Sequence, residues 1–247
     1  MSDRREHYSY SYYADAANAQ SFDARRFGGP IGDLVAKGQA DVLARMLGPI
    51  EGQRIIDVGT GTGRGAFLLA AAGAQVTGID ASEQMLAIAR QRAAETHADV
   101  DFRVGDAHQI TFADRSFDIA VSLRVLMHTP RWKRCIGELC RVAAHAVVVD
   151  YPSATSTALA QSVARKLLHR VGLASEPYRV FFDRQVTREL TARGFRVVSV
   201  HRQFVLPIAV HKTIGSRRFT EVSERWLANA GLLRLFGSPV TVYAERA

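Results

Sequence analysis

Residues 54–65 read Arg-Ile-Ile-Asp-Val-Gly-Thr-Gly-Thr-Gly-Arg-Gly, and this stretch decides the fold. A short β-branched run ends at an acidic residue, glycine then occupies every second position, and residues 66–72 are apolar enough for a helix. Glycines in such a loop let the backbone turn sharply and bring a ligand close to main-chain N–H groups. The stretch therefore predicts a strand, a ligand-binding loop and a helix, in that order.

The spacing of the glycines argues against a dinucleotide ligand. A dinucleotide-binding loop would show G-x-G-x-x-G, with room for a pyrophosphate at the helix N-terminus. Here the spacing is G-x-G-x-G, and Asp57 lies two residues before the first glycine. Its carboxylate would repel a pyrophosphate and would suit a cationic ligand. Because a glycine-rich loop alone fits several nucleotide-binding folds, the rest of the chain has to decide.

Length and composition suit one α/β domain with additions. The 247 residues are 47% apolar and 23% charged, which is typical of a soluble globular protein. Apolar runs such as residues 143–149 are too short to span a bilayer, and residues 1–7 lack the apolar segment of a secretory signal. Cys135 and Cys140 have no companions at zinc spacing, so we interpret them as structural thiols in a reducing compartment. We therefore expect a cytoplasmic protein.

The net charge of +8 has two interpretations. The arginines are scattered along the chain, and no run of five or more like charges occurs, so a solvated basic surface is the favoured one. The alternative is an acidic partner, which could be nucleic acid, an anionic lipid surface or an acidic metabolite.

Strands and helices alternate through the middle of the chain. Strands are predicted at residues 54–58, 75–80, 100–104, 117–123 and 146–149, with helices between most of them. This order requires a parallel sheet with helices on both faces. The flanking predictions are helices at 34–47, 154–171 and 184–193, a strand at 195–200, a continuation or separate strand at 205–210, a helical insertion at 217–236 and a last strand at 240–245.

Four of the predicted strands end at or just before an aspartate: Asp57, Asp80, Asp106 and Asp150. Ligands of open parallel α/β sheets bind beyond the carboxyl ends of the strands. Four carboxylates at that edge would repel one another unless a cation or hydrogen-bond donors lay among them. The alternative is that aspartate is simply common in turns after strands.

These motifs together resemble class I S-adenosylmethionine (SAM)-dependent methyltransferases. The resemblance rests on Asp-Val-Gly-Thr-Gly-Thr-Gly at 57–63, Val-Thr-Gly-Ile-Asp-Ala-Ser at 76–82, Val-Gly-Asp-Ala at 104–107 and Ser-Phe-Asp at 116–118. It is closest to the branch of small-molecule enzymes that includes ubiquinone and menaquinone biosynthesis. It covers residues 50–150 and implies SAM as the cofactor. An NAD-dependent dehydrogenase could also use Asp80, but it would not need Asp57 or Asp106.

The resemblance also implies the fold class and the organisation of the domain. The fold is expected to be α/β, with a doubly wound, Rossmann-like, mostly parallel seven-stranded sheet whose last strand is antiparallel. Residues 1–50 would form an N-terminal lid and the first helix, and residues 51–247 the SAM-binding domain. Acceptor-site additions are expected at about 152–182 and 211–238.

Family analogy assigns five residues to the methionine end of SAM. Gly59, Gly61 and Gly63 would make room for the methionine moiety, and Asp57 would hold its ammonium, directly or through water. Ser122 would border the methyl group.

Five further residues are assigned to the nucleoside end in the same way. Asp80 would accept from the ribose hydroxyls, while Ala81 and Met85 would lie against the adenine. Asp106 would accept from the adenine amine, and Ala107 would offer its backbone.

Candidate residues for the chemistry lie after the fourth and fifth strands. His128 is a candidate general base, because imidazole titrates near neutrality; the alternative is a histidine at a helix entry with a structural role. Arg124 could meet an anionic group of the acceptor, or it could be a structural ion-pair partner. Asp150 and Tyr151 end the fifth strand towards the same cleft, in a substrate-binding or a structural role.

Aromatic residues near the N-terminus predict a lid. Tyr8, Tyr10, Tyr12, Tyr13 and Phe22 lie close together in the sequence. Related enzymes close the site with a similar tyrosine-bearing segment, and exclusion of water gives the physical motive. Docking of the aromatic side chains on the core, without a lid function, is the alternative.

Missing motifs narrow the class of acceptor. The chain lacks the Asn/Asp-Pro-Pro-aromatic motif of base-amine methyltransferases, a cysteine after proline, and a basic strip interleaved with aromatics. We therefore expect no nucleic-acid partner and no metal site. The predicted function is methyl transfer from SAM to a small, hydrophobic, quinone-, lipid- or natural-product-like metabolite. The alternatives are an RNA or protein methyltransferase and a non-catalytic SAM-binding module.

The predicted helix at 154–171 carries an apolar stripe beside basic residues. The stripe is Leu159, Val163, Leu167 and Val171, and the basic residues are Arg165, Lys166, His169 and Arg170. One interpretation is a helix over the substrate cleft with its cations in water. The other is peripheral contact with an anionic membrane that holds a lipid-soluble acceptor.

Overall fold

A computed structural model of the chain describes residues 12–170 and 178–247. These residues form a seven-stranded sheet with the order β3-β2-β1-β4-β5-β7-β6. All neighbours from β3 to β5 pair in parallel, whereas β7 is antiparallel to both β5 and β6. The predicted fold class is confirmed, including the antiparallel last strand. Tyr8, Tyr10 and Val171 lie outside the described residues.

The strands alternate with helices along most of the chain. The strands are β1 (Arg54–Val58), β2 (Gln75–Asp80), β3 (Val100–Val104), β4 (Phe117–Ser122), β5 (Ala143–Tyr151), β6 (Phe195–Phe204) and β7 (Ser238–Arg246). The helices are α1 (Ala16–Phe27), α2 (Gly29–Leu47), α3 (Arg64–Ala71), α4 (Glu83–Thr96), α5 (Trp132–Val142), α6 (Ala158–Arg170), α7 (Asp183–Thr191), α8 (Ile208–Ile214), α9 (Arg217–Asn229) and α10 (Leu232–Phe236).

The order of the strands reverses between β1 and β4. From β1 the sheet grows outward through β2 and β3, and on the other side through β4 and β5. At such a reversal the loops after the two strands separate and leave a crevice beyond their carboxyl ends. The glycine-rich loop after β1 and the loop after β4 border this crevice.

Hydrophobic cores cover both faces of the sheet. On one face α5 and α7 pack through residues such as Ile136, Leu139 and Leu190. On the other face α3 and α4 pack through residues such as Leu69 and Leu86. Two cysteines also lie in the first core, Cys135 and Cys140, where burial raises the pKa of each thiol to about 12. Thiols with so high a pKa stay protonated near neutral pH, which suits packing groups rather than nucleophiles.

The segment 205–210 does not form the predicted strand. Its β-branched residues suggest one, but β6 ends at Phe204 and α8 begins after Pro207. The carboxylate of Glu224 in α9 accepts from the main-chain N–H groups of Val205 and Leu206, at 2.7 and 2.9 Å. The side chain of Glu224 thus provides the hydrogen-bond acceptors that a neighbouring strand would otherwise provide.

Other boundaries also differ from the sequence prediction, and two of them have a local cause. The helix expected at 34–47 begins at Gly29, with Pro30 at its start, where a missing N–H costs nothing. The single helical insertion expected at 217–236 is divided into α9 and α10 at Gly231, which has a positive φ of 79°.

Candidate functional site

Two adjoining cavities lie at the carboxyl edge of the sheet. The first cavity, of about 180 Å³, lies over the glycine-rich loop and the ends of β1 and β2. The second cavity, of about 370 Å³, lies beside the end of β5, between α6 and residues 204–209. Phe27, Arg124 and His128 line both. A ligand in one cavity is therefore separated from a ligand in the other only by this shared wall.

Two of the three predicted glycines form the floor of the first cavity. Gly59 has a φ of +76° and Gly61 one of +56°, which favour glycine. A Cβ at position 59 would lie 2.3 Å from the side chain of Val125, and one at position 61 would lie 3.3 Å from the Cε atom of Met85. Gly63 does not line the cavity. A Cβ there would meet the rings of Phe67 and Phe102, so this glycine makes room for packing beneath the loop.

The carboxylate of Asp57 is buried in the first cavity. It accepts from the hydroxyl of Thr60 at 2.7 Å and from the main chain of Ala66, at the start of α3. A Cβ on Gly65 would approach one of its oxygens to 3.0 Å, so a side chain there would crowd the carboxylate. Burial, with a smaller contribution from the charge of Asp80, raises the pKa of Asp57 to about 6 against the lowering effect of the Thr60 hydrogen bond. A cation beside it would replace the lost hydration and favour the ionised form.

Asp80 is held by main-chain donors at the end of β2. One carboxylate oxygen accepts from the N–H of Gly61 and the other from the N–H of Ser82, each at 2.9 Å. Burial raises its pKa, against the lowering effect of these two hydrogen bonds. The Gly61 contact ties the strand end to the glycine-rich loop, so the carboxylate is positioned before any ligand arrives.

Asp106 is partnered by a histidine that sequence reasoning missed. Its Oδ1 atom accepts from the main-chain N–H of His108 at 2.9 Å and lies 2.8 Å from the Nδ1 atom of that ring. Since a carboxylate only accepts, we assign the ring proton to Nδ1. The Nε2 atom then accepts from the Arg131 N–H at 3.4 Å. His108 therefore orients a carboxylate that also lines the cavity.

Arg64 is a second residue of the first cavity that the sequence reading did not single out. Its guanidinium lies 3.7 Å from the ring centroid of Phe27. Among the described residues, its Nε atom is buried with no hydrogen-bond partner. A buried donor without an acceptor costs about 1–3 kcal/mol, so an anionic ligand group in this cavity would be stabilised there.

The predicted adenine neighbours line the first cavity, but Ser122 does not. Ala81, Met85 and Ala107 are all at its wall. Ser122 is fully buried in β4, where its hydroxyl donates to the carbonyl of Val58 at 2.9 Å. Ser122 is therefore not at the cavity wall, where its predicted place beside the methyl group would require it. The strand ends at that residue, and the following residue, Leu123, lines the cavity instead.

The N-terminal segment covers the first cavity. Tyr13, Phe22 and Phe27 line it, and the Tyr13 ring contacts that of His128 edge to face, with 5.9 Å between centroids. Tyr12 lies outside both cavities, where its hydroxyl accepts from Arg25 at 2.8 Å. The rings of the two tyrosines pack edge to face, with 5.2 Å between centroids, but of the two only Tyr13 lines a cavity and is placed to contact a ligand.

Polar contacts hold the N-terminal segment at both of its sides. On one side Asp23 accepts from the hydroxyl of Thr62 in the glycine-rich loop, at 3.0 and 3.1 Å, and pairs with Arg92 of α4. On the other side Lys212 of α8 donates to the carbonyls of Arg25 and Arg26, at 2.8 and 3.0 Å. The glycine-rich loop and the C-terminal insertion are thus both connected to α1.

Arg124, Asp150 and Tyr151 meet at the second cavity. Arg124 has a positive φ of 64°, which is uncommon for a residue with a side chain, and its main-chain N–H donates to Asp150. Burial raises the pKa of Asp150 to about 6, and the charge of Arg124 opposes that rise. The hydroxyl of Tyr151 donates to Asp183 at 3.1 Å, so this side chain has an internal partner.

Comparison with known proteins agrees with this arrangement. Residues 56–148 match the family described as "Methyltransferase domain". One relative is a ubiquinone biosynthesis O-methyltransferase of Alkalilimnicola ehrlichii, 37% identical over 117 residues, or 47% of each chain. Another is a ubiquinone/menaquinone biosynthesis C-methyltransferase of Rubrivivax gelatinosus, 46% identical over 100 residues, or 40% of this chain and 39% of the relative. The chain thus spans less than half the length of these curated relatives.

Solved structures share the fold over nearly the whole chain. Magnesium protoporphyrin IX methyltransferase from Synechocystis PCC 6803, with bound S-adenosylhomocysteine (SAH), superposes with a TM-score of 0.68. The identity is 18%, and the match covers 97% of this chain and 98% of that one. The [4+2]-cyclase SpnF matches with a TM-score of 0.60 and 23% identity, over 85% and 80%. Because a protein described as a cyclase shares it, the fold does not by itself establish methyl transfer.

The family assignment therefore rests on sequence and site as well as on fold. The match at 56–148 contains β1, β2, β3 and β4 and most of β5, with Asp57, Asp80 and Asp106 at one cavity. No helix in the described ranges is both long enough and apolar enough to cross a membrane. Residues 56–148 thus match a methyltransferase domain, and the aspartates gathered at the first cavity agree with the class I SAM-dependent type.

Proposed function

We propose that the protein transfers a methyl group from SAM to a small, hydrophobic metabolite. One observation carries the proposal: the first cavity presents three aspartates and a glycine-rich loop, and it shares Arg124 and His128 with a second cavity. A methyltransferase needs a cofactor site and an acceptor site that meet at the methyl group. This arrangement supports a cofactor site in the first cavity and an acceptor site in the second, with methyl transfer at the wall that they share.

The residues of the first cavity fit SAM group by group. Asp57 is a buried carboxylate that an ammonium would neutralise, and the orphaned Nε of Arg64 suits the methionine carboxylate. Asp80 faces the cavity with both oxygens fixed by main-chain donors, ready to accept further from ribose hydroxyls. Met85 and Ala107 offer an apolar slot for the adenine. Gly59 and Gly61 keep the loop close enough for contact.

The chain's own part in the chemistry is positioning and proton transfer. When bound, SAM would supply a methyl group already activated on a sulfonium, so the acceptor needs to be positioned and, where it carries a proton, deprotonated. His128 lies where the acceptor atom would reach the first cavity, and its ring could take the proton of a hydroxyl or amine. Tyr13 packs on that ring, which restricts its orientation and excludes water.

The walls of the second cavity support a hydrophobic acceptor. They include Met127, Tyr151, Phe204, Leu206 and Ile208. Relatives named for ubiquinone and menaquinone biosynthesis act on acceptors of that general character, which supports the proposal by analogy.

The test uses SAM with a labelled methyl group. The purified protein is incubated with it and with separate lipid-soluble, RNA and protein fractions of a bacterial extract. We expect label in a lipid-soluble product together with SAH. Label confined to RNA or protein would favour those acceptors instead. SAM binding without transfer to any fraction would favour a non-catalytic module, and equal affinity for NAD would contradict the cofactor assignment.

We further propose peripheral contact between α6 and an anionic membrane surface. The inward face of α6 is small and polar: Ala158 lines the second cavity, and Ser162 donates to the carbonyl of Tyr178 at 2.6 Å. Its apolar stripe points outward, with Leu159, Val163 and Leu167 exposed by 44%, 50% and 55%. Exposed apolar side chains beside Lys166 suit the boundary between lipid headgroups and acyl chains.

Sedimentation with vesicles tests this contact. We expect more protein to sediment with phosphatidylglycerol-containing vesicles than with phosphatidylcholine vesicles at low salt, and the difference to shrink at high salt. Each basic residue near such a surface contributes about 1 kcal/mol. The variant Leu167→Ser should reduce sedimentation, whereas Val198→Ser, at an exposed valine of β6, should not. Equal sedimentation with both lipids at low salt would leave a soluble acceptor.

A further inference from the structure

The second cavity is lined by cations although most of its wall is apolar. Arg26, Arg124, Arg165 and Lys212 reach it from four different elements of the chain, and Asp150 is the acidic residue beside them. Because these four residues lie far apart in the sequence, it is the fold that brings their charges to one cavity. An apolar cavity that gathers several like charges is costly without a compensating anion.

Of these four cations, Arg124 gives the strongest indication of an anionic ligand. Among the described residues its guanidinium has no hydrogen bond: Asp150 accepts from the main-chain N–H of the same residue and acts on the guanidinium only through its charge. Burial lowers the pKa of Arg124 against the effect of Asp150, and the charge of Arg26 lowers it further. The backbone holds this residue at a positive φ, in the loop that carries His128. An unusual backbone position thus places a charge at the wall between the two cavities.

The neighbouring cations repel one another as well. Burial and then Arg26 lower the pKa of Lys212. Lys212 is fixed by the carbonyls at the end of α1, and Arg165 lies over the ring of Tyr178, 5.6 Å from its centroid. The carbonyl contacts of Lys212 hold its ammonium at the cavity without neutralising the charge. The observed groups therefore create a positive field inside an apolar pocket.

We propose that the methyl acceptor is amphipathic and carries an oxyanion, a carboxylate or a phosphate, that binds Arg124 at the second cavity. The remainder of the molecule lies along the apolar wall, which includes Phe204 and Leu206. Arg124 can present two parallel N–H donors to such a group, and Arg26 and Arg165 add to the attraction. This inference rests on the proposed function for its identification of the ligand as the acceptor.

Three naphthalene probes test the inference directly. We compare 2-naphthoate, 2-naphthyl phosphate and the neutral 2-naphthamide by equilibrium dialysis, with and without SAH. At least one anion should bind about tenfold or more tightly than the amide, and their ratio distinguishes carboxylate from phosphate. Arg124→Gln should remove most of that preference, while Arg124→Lys should keep part of it. Arg188→Gln, at an exposed arginine of α7 outside both cavities, should leave it unchanged.

A second variant protects the test against loss of folding. Arg165 is exposed on α6, so Arg165→Gln should fold normally and reduce the preference by a smaller factor. Equal binding of the three probes by the native protein would overturn the inference, as would an unchanged preference in a folded Arg124→Gln variant. SAH binding is measured in the same samples. If SAH binds and the anion preference is absent, only this inference fails; if SAH does not bind, the proposed function fails.

Discussion

The two cavities of this protein differ in their balance of charge on either side of a shared wall. The first presents Asp57, Asp80 and Asp106 with Arg64 among them, whereas the second presents Arg26, Arg124, Arg165 and Lys212 around Asp150. The aspartates end strands of the sheet, or follow them directly, and have main-chain or side-chain donors. The cations come from the N-terminal segment, the loop after β4, and two helices in the C-terminal half.

This contrast shows how the charges would select two different molecules. A sulfonium and an ammonium are attracted to the first cavity, and an oxyanion is attracted to the second. A cationic cofactor would be disfavoured among the arginines, and an acidic acceptor among the aspartates, so each cavity discriminates by repulsion as well as attraction. The shared residue His128 then lies between a ligand on each side.

Replacing His128 should give the largest effect on catalysis and should separate the two cavities functionally. We expect His128→Ala to lower turnover about 100-fold, because a general base contributes 10²–10⁴-fold, while the affinity for SAM changes little. Turnover is measured at saturating SAM, and calorimetry gives the affinity. His145→Ala, at an exposed histidine of β5, is the matched control. Native turnover in a folded His128→Ala variant would assign this histidine a structural role.

Replacing Asp80 should damage the first cavity alone. We expect Asp80→Ala to weaken SAM binding about tenfold or more, since ribose hydroxyls left without an acceptor cost about 1–3 kcal/mol. The probe preference of the second cavity should persist. Asp101→Ala, at an exposed aspartate of β3, should bind SAM normally. Unchanged SAM affinity in a folded Asp80→Ala variant would remove this carboxylate from the site.

The first cavity could be predicted because its residues come from short, contiguous motifs. Asp57, Asp80 and Asp106 each lie at or just after the end of a strand, and parallel strands bring their carboxyl ends to one edge. Ser122 lies one residue short of the cavity wall. Its hydroxyl satisfies the carbonyl of Val58 within the sheet, and the cavity begins at Leu123.

The second cavity could be predicted only in part. The sequence allowed the prediction of Arg124, Asp150 and Tyr151, because each of them follows or ends a predicted strand. Arg26 and Lys212 are 186 positions apart, and only packing of α8 against α1 brings them together, through the contacts of Lys212. No spacing in the sequence encodes that contact. Residues 205–210, of which the last three lie in α8, are predicted as a strand, because the sequence does not reveal that Glu224 of a distant helix accepts from Val205 and Leu206.

The smallest predicted effect is a pH dependence that belongs to the first cavity. Without ligand, burial raises the pKa of Asp57 to about 6, above its unfolded value of 3.8. Only the ionised carboxylate favours the ammonium of SAM, so affinity should fall as pH falls through 6. Between pH 7 and pH 5.5 a single group with this pKa predicts a loss of about fourfold. Asp80 also has a raised pKa and would steepen the loss.

Asp57 and Asp150 are both buried and both have a pKa of about 6, so variants at these two residues show which of them causes the pH dependence of SAM binding. Asp57→Asn should weaken SAM binding at pH 7 and flatten its pH dependence, whereas Asp150→Asn, in the second cavity, should leave that dependence intact. The folded state binds the Asp57 proton more tightly than the unfolded state, so this group's contribution to stability declines as pH rises from about 4 to 6. The ligand-free Asp57→Asn protein should therefore gain thermal stability at pH 7 relative to the native chain. A pH-independent SAM affinity in the native protein would show that Asp57 is already ionised at pH 5.5, and the charge contrast between the cavities would then hold across the whole range.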